Sequence, residues 1–217
     1  MSFKVLQPGL LSSIEDLGGL GQHDIGLTTG GPLDNEAFLW ANRILHNAPN
    51  ACAIELSFGG LQLLAQTQSY LCVTGATLDL TINGVAKALW TSHKIWPDDD
   101  IKLGYSSHGC RSYISVAGGF DITPSFGSSA TVVREKVGGL TGAKLAANDC
   151  LACASIAQLP RQALAQEHRP VYGQQNSGSH DGDTVLRILP GYQHHLFDTA
   201  TQTRFFHAQY TLTDRSD

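Results

Sequence analysis

Charge is scarce in this chain: Asp, Glu, Lys and Arg make up 15% of its 217 residues, against roughly a quarter in an average soluble protein. Cations are the scarcer sign, with Lys plus Arg at 14, Asp plus Glu at 19 and a net charge of −5. A chain without basic excess is a poor match for nucleic acid or an anionic membrane, and neither is expected as a partner. No segment approaches the ~20 consecutive apolar residues of a membrane-spanning helix. The opening residues 1–9 lack the apolar core and cleavage site of a signal peptide. Five cysteines, an odd number in a chain of this size, do not match a secreted disulfide framework. The expected compartment is the cytoplasm, with the thiols reduced. Coiled coil and disorder are excluded by the same composition.

Familiar catalytic signatures are missing too. Gly19-Leu-Gly-Gln-His-Asp24 has Asp where a dinucleotide fingerprint needs its third glycine, and no expected strand leads into it. Gly30-Gly31 is followed by Pro32 and Leu33, so it is not a phosphate-binding loop ending in Lys and Ser or Thr. No Gly-x-Ser-x-Gly elbow offers a serine nucleophile. Cys150-Leu-Ala-Cys153 has the spacing of half a zinc site, but Cys52, Cys72 and Cys110 are scattered singly. It reads as small apolar residues of a strand, and no metal is expected. His194-His195 lacks an ordered acidic partner, and Cys110 beside His108 is not a nucleophile–base pair.

What is abundant is glycine, at 23 residues, within a chain that is 42% hydrophobic. Short apolar or alternating runs broken by Gly, Asn or Asp predict strands at 3–6, 52–58, 61–65, 70–74, 78–82, 88–90, 101–105, 111–117 and 150–156. Asn83-Gly84 between two such runs marks a two-residue hairpin. One substantial helix is expected at 34–46, capped by Asp34, with Ala37, Trp40, Ala41, Ile44 and Leu45 at helical spacing. The pattern predicts a mostly β protein, a closed or nearly closed antiparallel barrel with one main helix. Residues 1–158 form that domain, the polar stretch 159–183 reads as a linker, and a strand at 184–189 opens a second unit within 184–217.

Residues 10–34 read as a long Gly-rich loop, a length uncommon unless the loop is functional or disordered. Asp16 and Asp34 stand at its two ends. Capping accounts for Asp34, whereas Asp16 has no structural role legible in the sequence, and its removal is expected to leave stability intact. Glu55, inside the apolar run Ala53-Ile-Glu-Leu56, either faces outward or is buried with a partner. Arg111 is suited to fork onto a carboxylate or to mark an exposed strand end.

Several stretches in order resemble one family. They are Pro8-Gly9, Ser13-Ile-Glu-Asp-Leu-Gly18, Gly31-Pro-Leu-Asp34 with Ala41-Asn42, Ala53-Ile-Glu55, and Val73-Thr-Gly-Ala76. Arg111-Ser-Tyr-Ile-Ser-Val-Ala-Gly-Gly119, Phe126-Gly-Ser128 with Thr131, Asn148-Asp149 and Arg187-Ile-Leu-Pro-Gly191 continue the series. Together they look like the biotin-dependent carboxyltransferase / allophanate hydrolase subunit 2 family. That family includes the C-type component of ATP-dependent 5-oxoprolinase, the carboxyltransferase part of urea amidolyase, and the antagonist of a sporulation-kinase inhibitor.

The resemblance implies a cyclophilin-like β-barrel, followed beyond residue 217 by a second barrel-like domain of which 184–217 is the truncated beginning. It implies a subunit of a bacterial ATP-dependent 5-oxoprolinase-type complex that opens a cyclic amide, 5-oxoproline, to glutamate. The expected partners are a subunit of the allophanate hydrolase subunit 1 type and an oxoprolinase third subunit, with ATP used by the assembled complex. The alternatives are the carboxyltransferase component of a biotin-dependent urea carboxylase or amidolyase, and a non-catalytic antagonist of a kinase inhibitor. Biotin belongs to the carboxyltransferase alternative alone, and with Met1 the single methionine no biotinyl Met-Lys-Met motif exists here. Asp16, Asp34 and Glu55 are the candidate catalytic carboxylates, converging near Arg111 for the substrate carboxylate. Gly75, Gly118, Gly119 and Asn42 are the remaining candidate binding residues. Gly19, Ser129 and Ala143 stand where the family pattern has arginine, which favours the antagonist reading.

Overall fold

The computed structural model describes residues 2–19, 21–154 and 188–211. The chain divides into two compact units, Met1–Gly173 and Gln174–Asp217. The described part of the first is mostly β, with its strands in two antiparallel sheets.

The first sheet contains β1 (Ser2–Pro8), β4 (Leu61–Ala65), β6 (Leu80–Ile82), β7 (Val85–Lys87), β9 (Asp100–Leu103) and β11 (Cys150–Ala152), in the order β11-β1-β4-β9-β6-β7. The second contains β2 (Leu11–Glu15), β3 (Ala53–Ser57), β5 (Ser69–Thr77), β8 (Ser92–Ile95) and β10 (His108–Val116), in the order β2-β3-β10-β5-β8. Both sheets feed one core. Phe3, Val5, Leu61, Leu63, Ile101 and Leu151 enter it from the first, and Ile14, Ile54, Leu56, Leu71, Val73, Ile114 and Val116 from the second. Period-two alternation therefore leaves Ser13, Glu55, Arg111 and Tyr113 on the opposite face of the second sheet.

That opposite face is partly roofed by α1 (Asn35–Ile44). Asp34 caps the helix as expected, its Oδ1 accepting from the Ala37 N–H at 3.0 Å. Ala37, Phe38 and Ala41 pack on Ala53 and Tyr113, with Phe38 and Tyr113 edge to face at 5.9 Å. Burying a side chain the size of Phe38 stabilises the fold by roughly 1.5–3 kcal/mol. The helix ends at Ile44, and His46 follows in the left-handed region at φ 58°.

The hairpin at Asn83-Gly84 is present, with Ile82 paired to Val85 and both turn residues at positive φ (52° and 76°), as a type I′ turn requires. Two expectations fail. The stretch 10–34 is not all loop, because β2 pairs with β3 along its whole length. Ser12 and Ser13 interrupt the apolar alternation, so backbone pairing rather than hydrophobic pattern makes this strand. Residues 88–90 are not a strand either: Trp90 sits at φ 59°, and the strands lie on either side of it.

In the second unit, α2 (Thr199–His207) is capped by Asp198, which accepts from the Thr201 N–H at 2.7 Å. A helix was not expected there. Of the strand read at 184–189, residues 188 and 189 carry no regular structure, and the rest lies outside the described residues, as does the linker at 159–183. Among the described residues no helix is long and apolar enough to cross a membrane.

Candidate functional site

The register of the second sheet sets Ser13, Glu55, Tyr113 and Thr74 side by side across four strands. Glu55 faces outward because Ile54 and Leu56 take the core side. The Tyr113 hydroxyl donates to Glu55 Oε2 at 2.7 Å, and the Leu33 N–H donates to the same oxygen at 2.9 Å. The Asp34 N–H donates to the Tyr113 hydroxyl at 2.7 Å. Burial raises the Tyr113 phenol well above its ordinary value, opposed by the Asp34 N–H and reinforced by Glu55, so it serves as a neutral donor. Arg111 Nε lies 3.2 Å from Glu55 Oε1. That is an ion pair without hydrogen-bond alignment, for Nε has no hydrogen-bond partner. The Arg111 side chain is 25% exposed, and its Nη1 reaches the Cys110 carbonyl only at 3.4 Å. Leu11, which pairs with Ser57, and Leu33 and Phe58, next in sequence to Asp34 and Ser57, are exposed.

Glu15 adds a carboxyl group that the sequence reading missed. It lies on the same face of β2 as Ser13 and is 4% exposed. Its Oε2 is buried with no hydrogen-bond partner among the described residues. Its pKa is pushed up to about 8, chiefly by burial and then by the negative charges of Glu55 and Asp16, against hydrogen bonds from Ser13 and the Gly31 backbone. Reading 11–15 as a strand would have found it. Ile14 belongs to the core, so Glu15 must face the side where Glu55 stands.

The sequence-predicted residues divide sharply. Asp34, Glu55 and Arg111 come together, Asp34 through its backbone while its carboxylate caps α1. Asp16 is buried and has a clear structural role: Oδ1 accepts from the Gly18 N–H and the Ser128 hydroxyl, and Oδ2 from the Ser129 N–H, at 2.6–2.8 Å. It pins residues 128–129 to the end of β2. Asn42 is fully buried and ties α1 to Ala51, Asn47 and Ser115. The Gly118 N–H donates to Asn47 in the same network, and Gly119 packs on Ala51 and Cys52. Gly75, at φ 94°, lets β5 approach β10 so closely that a Cβ would overlap the Arg111 carbonyl oxygen.

A separate cavity of about 520 Å³ opens between residues 121–126 and 136–142, with Thr123, Phe126, Lys136 and Thr141 in its walls. The positions lacking arginine border these segments. Gly19 faces Ser128, and Ser129 is buried, its hydroxyl donating to the Ile122 carbonyl. Ala143 follows the last lining glycine. Among the described residues no group of three or more His, Cys, Asp or Glu is placed to hold a metal ion.

Comparison with known proteins places the chain in a class: it belongs to the family of the carboxyltransferase domain, subdomain A and B, whose model matches residues 25–217. Among its relatives, the C-type component of 5-oxoprolinase from Escherichia coli (strain K12) is 29% identical over 99% of this chain and 66% of its own length. Urea amidolyase of Lachancea kluyveri is 31% identical over 69% of this chain and 8% of its own. The crystal structure of the Kluyveromyces lactis urea carboxylase superposes with a TM-score of 0.69 and 32% identity, covering 73% of this chain and 14% of that one. The chain thus spans about two thirds of the 5-oxoprolinase component and a small part of the urea enzymes.

Proposed function

We propose that this chain is a subunit of a cytoplasmic, bacterial ATP-dependent 5-oxoprolinase-type complex that opens 5-oxoproline to glutamate. The observation that carries the reading is the Glu55–Arg111–Tyr113 cluster, a carboxylate oriented by two donors beside a partly exposed guanidinium. Likeness to the C-type component of 5-oxoprolinase over 99% of the chain supports it. In this reading the two sheets are a cyclophilin-like barrel domain spanning 1–158, joined by the linker 159–183 to the start of a second domain at 184–217.

Ring opening adds water to the lactam carbonyl carbon, breaks the C–N bond and delivers a proton to the nitrogen. Arg111 would bind the substrate carboxylate through its Nη groups, a charge-assisted contact worth roughly 1.5–3 kcal/mol. Glu55 would orient the water and accept its proton. Asp34 would act through Tyr113, and Asp16 through the segment it pins. Gly75, Gly118, Gly119 and Asn42 would set the backbone around these groups. The sequence around Gly30-Gly31 does not fit a nucleotide phosphate loop, so we place ATP on the partners, the allophanate hydrolase subunit 1-type protein and the oxoprolinase third subunit. The test is copurification with those subunits followed by an assay for ATP hydrolysis that depends on 5-oxoproline. Hydrolysis indifferent to 5-oxoproline sinks the reading.

Carboxyl transfer in a biotin-dependent urea carboxylase is the second reading, favoured by the likeness to urea amidolyase. Biotin would then be carried by another chain. A non-catalytic antagonist of a kinase inhibitor is the third, favoured by Gly19, Ser129 and Ala143 at positions where arginine would bind an anion.

A further inference from the structure

The turn at Phe126-Gly127 is built against local preference. Ser125 and Ser128 bond backbone to backbone across it at 2.8 and 3.2 Å, and both turn residues have positive φ, 53° and 85°. A two-residue turn of that geometry favours Asn-Gly, and the same chain places Asn83-Gly84 in such a turn at φ 52° and 76°. A bulky aromatic residue in the left-handed region is a steric outlier. The Phe126 ring is 57% exposed, so core burial does not offset the strain. Lys136 repeats the pattern. It is exposed, lies at φ 55°, and ends the loop closed by the bridge between Val132 and Val137. Both residues line the cavity of about 520 Å³ between 121–126 and 136–142. Strain concentrated on the walls of one cavity points to a ligand rather than to folding.

The charges in those walls select the ligand. Lys136 and Asp121 have opposite signs, and neither forms an ion pair among the described residues, where the pairs are Arg111 with Glu55 and Arg134 with Glu135. Thr123 and Thr141 add hydroxyl groups, which donate or accept. The face of the Phe126 ring attracts a cation. A ligand with a carboxylate alone would meet Lys136 and repel Asp121, and an amine alone would do the reverse. A zwitterion complements both. We propose that this cavity binds a free α-amino acid, its carboxylate on Lys136 and its ammonium on Asp121 and Phe126. On the 5-oxoprolinase reading, on which this last step alone rests, the occupant is the ring-opened product, since glutamate has an ammonium group and 5-oxoproline has none.

Titration of the ¹⁵N-labelled full chain tests the site without reference to activity. L-Alanine and L-glutamate should each shift the amides of Thr123, Gly138, Gly139 and Thr141. Propionate, which is alanine without its ammonium, and 5-oxoproline should bind there at least about tenfold more weakly. Lys136→Gln and Asp121→Asn should each weaken L-glutamate about tenfold. Phe126→Asn separates binding from folding, because asparagine suits the left-handed region: it should melt above the wild type and bind L-glutamate more weakly. The proposal is overturned if neither amino acid shifts these amides, if propionate binds as well as L-alanine, or if either charge variant keeps full affinity. A Phe126→Asn variant that melts below the wild type, or that binds as well, overturns it too. Binding of L-alanine without L-glutamate keeps the amino-acid site and removes the product role. A chain that binds both, in a complex whose ATP hydrolysis ignores 5-oxoproline, fails the substrate reading and keeps this site.

Discussion

Glu55 and Tyr113 are direct partners across β3 and β10, and the phenol donates at 2.7 Å to the carboxylate oxygen that also accepts from Leu33. This contact joins the loop before α1 to the sheet, because the same phenol oxygen accepts from the Asp34 N–H. Tyr113→Phe keeps the ring against Phe38 and removes only the hydroxyl. It takes one partner from a part-buried N–H and one from a half-buried carboxylate, a loss of about 1–3 kcal/mol. Urea unfolding should show a lower midpoint at unchanged slope; an unchanged midpoint would mean that water replaces the hydroxyl at no cost.

Asp16 and Asp34 should separate by mechanism. Asp16→Ala strips three donors of their acceptor and frees residues 128–129, with an expected cost of about 3 kcal/mol. Asp34→Ala removes one helix cap, at about 1 kcal/mol. Thermal melts of the two variants side by side test the order. If Asp16→Ala melts with the wild type, the clamp on Ser128 and Ser129 contributes nothing.

Stability should also depend on pH through Glu15. Its folded pKa, about 8, lies above the ordinary 4.5, so the folded state keeps a proton that the unfolded chain has released. The contribution is fully present below about pH 4.5 and is lost as pH rises to about 8, at up to about 1.4 kcal/mol per pH unit. Glu15→Gln should flatten that slope and exceed the wild type in stability near pH 8. Equal slopes in both proteins would assign the dependence to other groups.

Legibility in the sequence followed the source of each signal. The hairpin at Asn83-Gly84 and the cap at Asp34 are local chemistry, and both were readable. Glu55 was legible only as a choice, facing outward or buried with a partner, and the structure gives it both an outward face and the partners Tyr113, Leu33 and Arg111. β2 was not legible, because its evidence is pairing with a strand some forty residues away and its own pattern is interrupted by Ser12 and Ser13. Missing β2 hid Glu15 and made Asp16 look free of structural duty. The partners of Asp16 lie on residues 128–129, more than a hundred positions away, a distance no local pattern bridges. Tyr113 stands out in the sequence only as part of the run 111–119; its role depends on strand register and the covering of α1.

Arg111 offers the sharpest test of the proposed chemistry. Lysine at this position keeps the positive charge but loses the planar fork that can hold a carboxylate at two points. Arg111 also faces Glu55 without an aligned hydrogen bond at Nε, so little folding stability depends on the guanidinium geometry. Arg111→Lys should therefore unfold within about 0.5 kcal/mol of the wild type. In the reconstituted complex it should raise KM for 5-oxoproline about tenfold, equivalent to about 1.4 kcal/mol of binding, and leave kcat nearly unchanged. That split is the signature of a group that holds substrate and transition state alike. A fall in kcat at constant KM would move Arg111 from anchoring the carboxylate to stabilising charge at the carbonyl. No change in either constant would remove it from the site.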